Sequence, residues 1–331
     1  MAHGTSWIRP NFEKLSRRGF MAGTAALALV SATRAQDAVT IEHALGTSDV
    51  TGVPERVVVG TDFVDLEYTL ALGVVPVAYG NSGSWGRGTL PWQAGTGIED
   101  VPQIDVTGFV LSPETVIEYD PDLIISMTYV VTDVAEQLEQ IAPLVGLEFG
   151  RPWRDGLRLA AKALGRSETG EERIAETEAL IAEFAERLAP LRGKKIMIGS
   201  LYGDTLYVIG EGGIAEQFAE LGLTFVPAPS ADANGLANYS IENVDILQEA
   251  DILLSFATDK DATARLEAFA PFQRLPAVAG RAYAPLDAIT SSAFSDNFSP
   301  LSAKWILPIL ADLLEQAARG EGIDVTVKAA A

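Results

Sequence analysis

Histidine, cysteine and the carboxylates limit what chemistry this chain can carry, and the first two are nearly missing. Its 331 residues include two His and no Cys. His3 falls in a leader described below, which leaves His43. A Ser-His-Asp triad would rest on that one imidazole, and no Gly-x-Ser-x-Gly elbow is available to present a nucleophile. A zinc or manganese site would need several His beside carboxylates. Without Cys there is no thiolate metal site and no disulfide framework. Gly210-Glu211-Gly212-Gly213 precedes a helical pattern, but it lacks both the Lys-Ser/Thr of a phosphate loop and the dinucleotide glycine spacing. It reads as a tight turn entering a helix. Among the 45 Asp and Glu no spacing singles out a hydrolytic pair. Catalysis is unsupported, so the chain is not expected to be an enzyme.

The N-terminus is an address. Ser16-Arg17-Arg18-Gly19-Phe20-Met21 is a twin-arginine pair followed by apolar residues, then an Ala/Leu/Val run from Ala22 to Ala32, then Thr33-Arg34-Ala35. The pattern predicts twin-arginine export with cleavage after Ala35, and a freely soluble periplasmic protein with no lipid-anchoring Cys. Removing residues 1–35 takes five basic residues and one acid from the totals of 24 and 45, leaving 19 against 44 and a formal charge of −25. Such a surface excludes nucleic acid as a partner.

Any binding residues must be positioned by alternating β and α segments. Short β-branched runs (56–59, 74–78, 123–126, 195–200, 252–256) alternate with helical patterns at 62–72, 113–119, 134–141, 153–164 and 213–221. This argues for α/β layers with mostly parallel sheets. From Glu171 to Leu188 there is no Gly or Pro, and Ile174, Thr177, Ile181, Phe184 and Leu188 share one helical face. One long helix between two α/β blocks predicts two lobes joined by a rigid connector, with a ligand cleft between them. The expected divisions are a leader (1–35), an arm (36–53), an N-terminal lobe (54–165), the connecting helix (166–190), a C-terminal lobe (191–318) and a mobile tail (319–331).

The order of short motifs resembles a family. Pro54-Glu55-Arg56-Val57-Val58-Val59, Leu70-Ala71-Leu72-Gly73-Val74, Ser112-Pro113-Glu114, Pro121-Asp122-Leu123-Ile124-Ile125, Ile141-Ala142-Pro143, Phe272-Gln273-Arg274-Leu275-Pro276 and Ser299-Pro300-Leu301-Ser302 follow one another as in the siderophore- and cobalamin-type periplasmic binding proteins. The likeness runs from about Pro54 to Leu314 and is greatest to the ferrichrome branch.

That resemblance implies capture of a ferric siderophore, hydroxamate or carboxylate in type, and its delivery to an ABC importer permease in the inner membrane by a monomeric carrier. The iron arrives already chelated, so no resident cofactor or protein metal ligand is expected. Haem or cobalamin is the alternative cargo of the same fold, and a periplasmic carboxylate hydrolase is the alternative of another class. By the same resemblance Glu114 and Glu242 dock to the importer, one on each lobe. The implied ligand residues are Trp85 and Arg87 in the loop 81–88, with Trp92 just beyond it. Tyr129, Tyr202, Tyr239, Phe294 and Phe298 complete the set, while Trp153 is read as packing between the lobes. The chain departs from the ferrichrome branch at Gly108, where an Arg is expected, and at Asn234, where a Trp is expected. Arg87 would replace the missing guanidinium.

Overall fold

The computed structural model describes residues 38–84, 86, 88–229, 236–257 and 259–325, so the expected leader, Trp85, Arg87 and Asn234 lie outside the described residues. The chain opens with an antiparallel hairpin, β1 (Ala38–His43) and β2 (Gly46–Thr51). The sequence marks 36–53 only as an arm, and in the structure it is docked. Ser48 Oγ donates to Leu144 O at 2.7 Å. His43 Nδ1 accepts from the backbone N–H groups of Leu45 and Gly146, at 3.2 and 3.3 Å. Two donors at Nδ1 require the ring proton on Nε2, which faces Ser48 Oγ at 3.0 Å. The one His of the described residues is thus a neutral structural group, held below its ordinary pKa by burial.

The N-terminal lobe is a five-stranded parallel sheet in the order β5–β4–β3–β6–β7. Its strands are β3 (Val57–Val59), β4 (Ala78–Asn81), β5 (Gln103–Asp105), β6 (Leu123–Met127) and β7 (Leu144–Leu147). Strands β3, β6 and β7 are buried at every residue, the pattern of a parallel sheet covered on both faces. The covering helices are α1 (Val64–Ala71), α2 (Pro113–Val116), α3 (Thr128–Val131), α4 (Ala135–Leu138) and α5 (Trp153–Ala163). Just past β3, at Gly60, and within β4, at Gly80, the chains approach too closely for any side chain. A Cβ on Gly60 would fall 1.9 Å from Ser126 Oγ, and one on Gly80 would fall 2.0 Å from the Gly60 carbonyl.

Helix α6 (Ser167–Arg187) follows, 21 residues long, burying Ile174, Thr177, Ile181 and Phe184. The C-terminal lobe then begins with β8 (Lys195–Tyr202), β9 (Thr205–Ile209), α7 (Gly213–Glu220), β10 (Thr224–Phe225), β11 (Leu236–Ser240) and β12 (Ile252–Ala257). It continues through α8 (Lys260–Ala268), α9 (Ala270–Gln273), α10 (Pro276–Ala279), β13 (Tyr283–Asp287), α11 (Ala288–Phe294) and α12 (Pro300–Ala318). Its sheet runs β11–β9–β8–β12–β13 with β10 beside β8. It is mixed, because β8–β9 and β9–β11 are antiparallel.

The two lobes share one hydrophobic core. It passes from the N-terminal sheet through α5, α6 and α12 to Ile196, Ile198, Ile252 and Leu254 of the second sheet. A smaller core fills the other face of that sheet. The sequence reading expected a mobile tail from residue 319, but the chain is held as far as Val325. Gly322 N donates to Arg281 O, Ile323 N donates to Tyr283 O, and Val325 is buried. No helix among the described residues is long and apolar enough to cross a membrane.

Candidate functional site

A cavity of about 730 Å³ opens between the lobes, within the range of small-molecule sites. Loops leaving the C-terminal ends of β6, β7, β8 and β12 reach it, as the crevice rule for α/β sheets requires. Its N-terminal wall is built from Phe63, Tyr68, Met127 and the segment Leu147–Arg154. The facing wall comes from Tyr202, Tyr207, Phe256, the turn Glu211–Gly213 and helix α7. Phe298, in the loop before α12, meets Trp153 edge-on at 5.9 Å and closes the floor. Gly156 admits α5 to this position, because a Cβ there would lie 2.7 Å from the Tyr68 ring.

Aromatic rings dominate both walls. On the N-terminal lip Tyr129 packs edge-on against Phe63, Phe109 and Phe149, with centroids 6.3, 5.8 and 6.4 Å away. Phe109, Tyr129 and Phe149 are 43%, 40% and 54% exposed. Large apolar groups held together in water mark a surface that binds something. Opposite them, Tyr202 and Tyr207 pair at 5.4 Å.

The charges of the cleft are arranged around two arginines. Arg151 Nη2 donates to Glu148 at 2.7 Å, and its enclosed Nε has no acceptor. Arg154 lies 4.5 Å over the Trp153 ring. It donates at 2.6 Å both to Glu178 on α6 and to Glu220 on α7, so one guanidinium joins three helices. Burial pushes the Asp296 carboxyl at the cleft up to about 6, against a hydrogen bond from Ser295.

Beneath the lip, buried acids brace the N-terminal wall. Asp65 accepts from the N–H groups of Thr61, Leu66 and Met127 and from the Thr61 hydroxyl, tying the start of α1 to the end of β6. Burial raises it to about 6. Glu67 accepts from Gln93 Nε2 at 2.7 Å and from Ser299 Oγ at 3.3 Å, linking α1 to the N-cap of α12.

Of the residues singled out from sequence, Tyr202 and Phe298 line the cavity. Tyr129 stands on its lip against the lining rings Phe63 and Phe149. Trp153 lines it too, while making the expected packing contact across the lobes. Three residues lie elsewhere. Trp92 is buried against Trp305 of α12 at 5.3 Å, because α12 returns to the N-terminal lobe. Phe294 is buried between Phe218 and Phe298. Tyr239 lies on β11 and donates its hydroxyl to Pro229 O at 2.5 Å. Glu114 is exposed in the first turn of α2, where its own N–H and the Ser112 hydroxyl hold its carboxyl below the usual range. Glu242 is exposed in the first turn of the 3-10 helix Ile241–Leu247.

The sequence reading missed Phe63, Phe149, Arg151 and Tyr207. The run Phe149-Gly150-Arg151-Pro152-Trp153-Arg154 directly after β7 was the available signal. Gly210-Glu211-Gly212-Gly213 does turn into α7, with Gly212 at φ 135°, and it also lines the cleft.

Two α/β lobes around an aromatic cleft at their strand ends define a ligand-binding protein. The chain belongs to the periplasmic binding protein family, whose profile matches residues 61–282. It is 33% identical over 163 residues to the probable siderophore-binding lipoprotein YfiY of Bacillus subtilis. That match spans 48% of each chain, about half the length of this curated relative. Its fold is similar to that of a periplasmic solute-binding protein from Mycobacterium smegmatis, with a TM-score of 0.75, 22% identity, and coverage of 85% of this chain and 99% of that one. PiaA of Streptococcus pneumoniae, solved in complex with ferrichrome, has a TM-score of 0.72 and 24% identity over the same shares.

Proposed function

We propose that this chain captures a ferric siderophore in the periplasm and hands it to an ABC importer of the inner membrane. The observation that carries this reading is the cleft itself, a cavity of about 730 Å³ walled by aromatic rings from both lobes. A chelate brings its own iron ligands, so its carrier needs apolar and aromatic walls with a few donors. This cleft offers that combination. The chain has no Cys, and the ring of His43 is committed to backbone groups and Ser48. The names of the relatives support the same cargo: a probable siderophore-binding lipoprotein and a protein solved with ferrichrome.

Export follows the twin-arginine pair Arg17-Arg18. Exposed Glu114 and Glu242, one on each lobe, are suited to bidentate pairing with importer arginines. The protein acts as a monomer and without turnover. The test is calorimetric titration of the purified chain with ferric chelates and their iron-free forms. Saturable binding of the ferric form alone is expected, and no binding to any chelate overturns the reading.

A further inference from the structure

The N-terminal hairpin holds both ends of the segment that forms the cleft's N-terminal wall. That segment, Leu147–Arg154, runs from the end of β7 to the start of α5 and lines the cavity with Phe149, Arg151 and Trp153. β7 is an edge strand, and among the described residues no further strand pairs with its outer side. Side chains of the hairpin take its outward-facing backbone groups instead. Ser48 Oγ donates to Leu144 O at 2.7 Å, and the Gly146 N–H donates to His43 Nδ1 at 3.3 Å. On α5, Lys162 Nζ donates to Thr40 O at 2.9 Å. Gly146 lets the hairpin come this close, since a Cβ there would lie 2.8 Å from Leu45 Cγ. In the two strands Ile41, Ser48 and Val50 are the buried residues. A two-stranded hairpin is marginal in water by itself, so its docking leans on these polar contacts.

One of those contacts titrates. His43 Nδ1 accepts from two N–H groups, and a proton placed there would face both donors. Protonation of the ring therefore breaks its bonds to Leu45 and Gly146 together. β7 brings no ionisable group, and Glu148 just past it is paired with Arg151. On α5, Lys162 is committed to Thr40 O. Of the hairpin's own acids, Glu42 is exposed and Asp49 accepts from Thr40 Oγ1. Burial disfavours the imidazolium and outweighs the charge of Glu139, at the end of α4, which favours it. We infer that the hairpin is a clamp on the cleft wall with His43 as its positioning residue, gripping while the ring is neutral and letting the wall go as the ring takes a proton. The clamp acts on the wall whatever the cleft carries. A released wall is not the binding-competent one, so cargo is held less tightly as the medium acidifies.

The experiment is hydrogen exchange of the purified, ligand-free chain at about pH 7 and pH 5, read as protection factors at the Asp155 and Gly156 amides. Both donate to Pro152 O at 3.0 Å and close the wall segment onto α5. With the ordinary His value of 6.5 for the undocked ring, protonation multiplies the released fraction by up to about 25-fold between those two pH values. Protection at the two amides should fall by up to the same factor. In H43N the Asn Oδ1 can accept from the same N–H groups without titrating, so protection should be equal at both pH values. H43A has no acceptor there and should show low protection at both. Protection in the parent that does not change with pH overturns the clamp, because the hairpin then moves without the wall. A fall in H43N as large as in the parent overturns the role of His43, since Asp65 and Asp296 titrate in both proteins.

Discussion

Replacing Glu67 with Gln should flatten the pH dependence of this protein's stability. Glu67 is fully buried on α1, and burial pushes its carboxyl from the ordinary 4.5 up to about 7, against hydrogen bonds from Gln93 and Ser299. In the unfolded chain the proton leaves near 4.5, whereas the native state keeps it until about 7. Between those values the native state binds more protons, so stability falls as pH rises. Each pH unit of that window is worth about 1.4 kcal/mol, giving a loss of roughly 3 kcal/mol that is complete above pH 7 or so. A Gln at this position stays neutral throughout. Its carbonyl can accept from Gln93 Nε2, while the contact with Ser299 is weakened, because that hydroxyl oxygen already accepts from the Leu301 and Ser302 N–H groups. The assay is urea unfolding of parent and E67Q at half-unit steps from about pH 5 to pH 8. Their difference cancels the titrating groups that do not interact with Glu67, while Asp65, whose charge also raises the Glu67 carboxyl, stays coupled to it. The variant should match the parent within about 1 kcal/mol at the acid end and exceed it by up to about 3 at the alkaline end. Parallel curves would show that Glu67 is charged in the native state at every pH tested, and would refute the reasoning.

His43 should act in the opposite direction. Burial holds it below its ordinary 6.5, so the docked hairpin contributes stability above that value and loses it as pH falls. Hydrogen exchange at the Leu45 and Gly146 amides should show protection at pH 7 that weakens at pH 5, and equal protection factors would contradict the Nε2–H assignment. For Arg154, which joins α5, α6 and α7, R154A should cost about 1 kcal/mol. R154K should recover less than half of it, since one ammonium cannot fork to Glu178 and Glu220. A Lys variant as stable as the parent in urea would count against this. For Glu114 and Glu242, the E114A/E242A double variant should bind the chelate with unchanged affinity while uptake of radioactive iron by cells drops several-fold. Normal uptake by that variant would remove the docking assignment.

The elements most legible in the sequence were those governed by local periodicity. The buried face of α6 carries Ile174, Thr177, Ile181 and Phe184, the residues whose three- and four-residue spacing marked it. Strands β6, β8 and β12 begin at the residues their β-branched runs indicated. The run 74–78 is an instructive failure. Pro76 has no N–H to give a sheet, and pairing starts only when Val77 N donates to Val57 O, so the strand is Ala78–Asn81. The arm 36–53 carries no strand signal, because its strands are half exposed and their side chains are bonded to backbone groups about a hundred residues away.

Site residues followed a different rule. Tyr202 was within reach of sequence reasoning, because it ends a strand and such ends face the cleft. Trp92 and Phe294 sit on equally plausible loops and ends, but whether a ring meets solvent or core depends on which distant helix arrives. For Trp92 it is α12, bringing Trp305; for Phe294 it is α7, bringing Phe218. Composition and pattern alone therefore determined the layered α/β class, the long connecting helix, the acidic surface and the poverty of catalytic groups, since these are properties of residue type and local spacing. Tertiary structure alone decided the membership of the cleft and the pairing of Arg151 and Arg154. It also decided the burial of Glu67, because each depends on segments that are remote in sequence and adjacent only after the lobes have packed on one shared core.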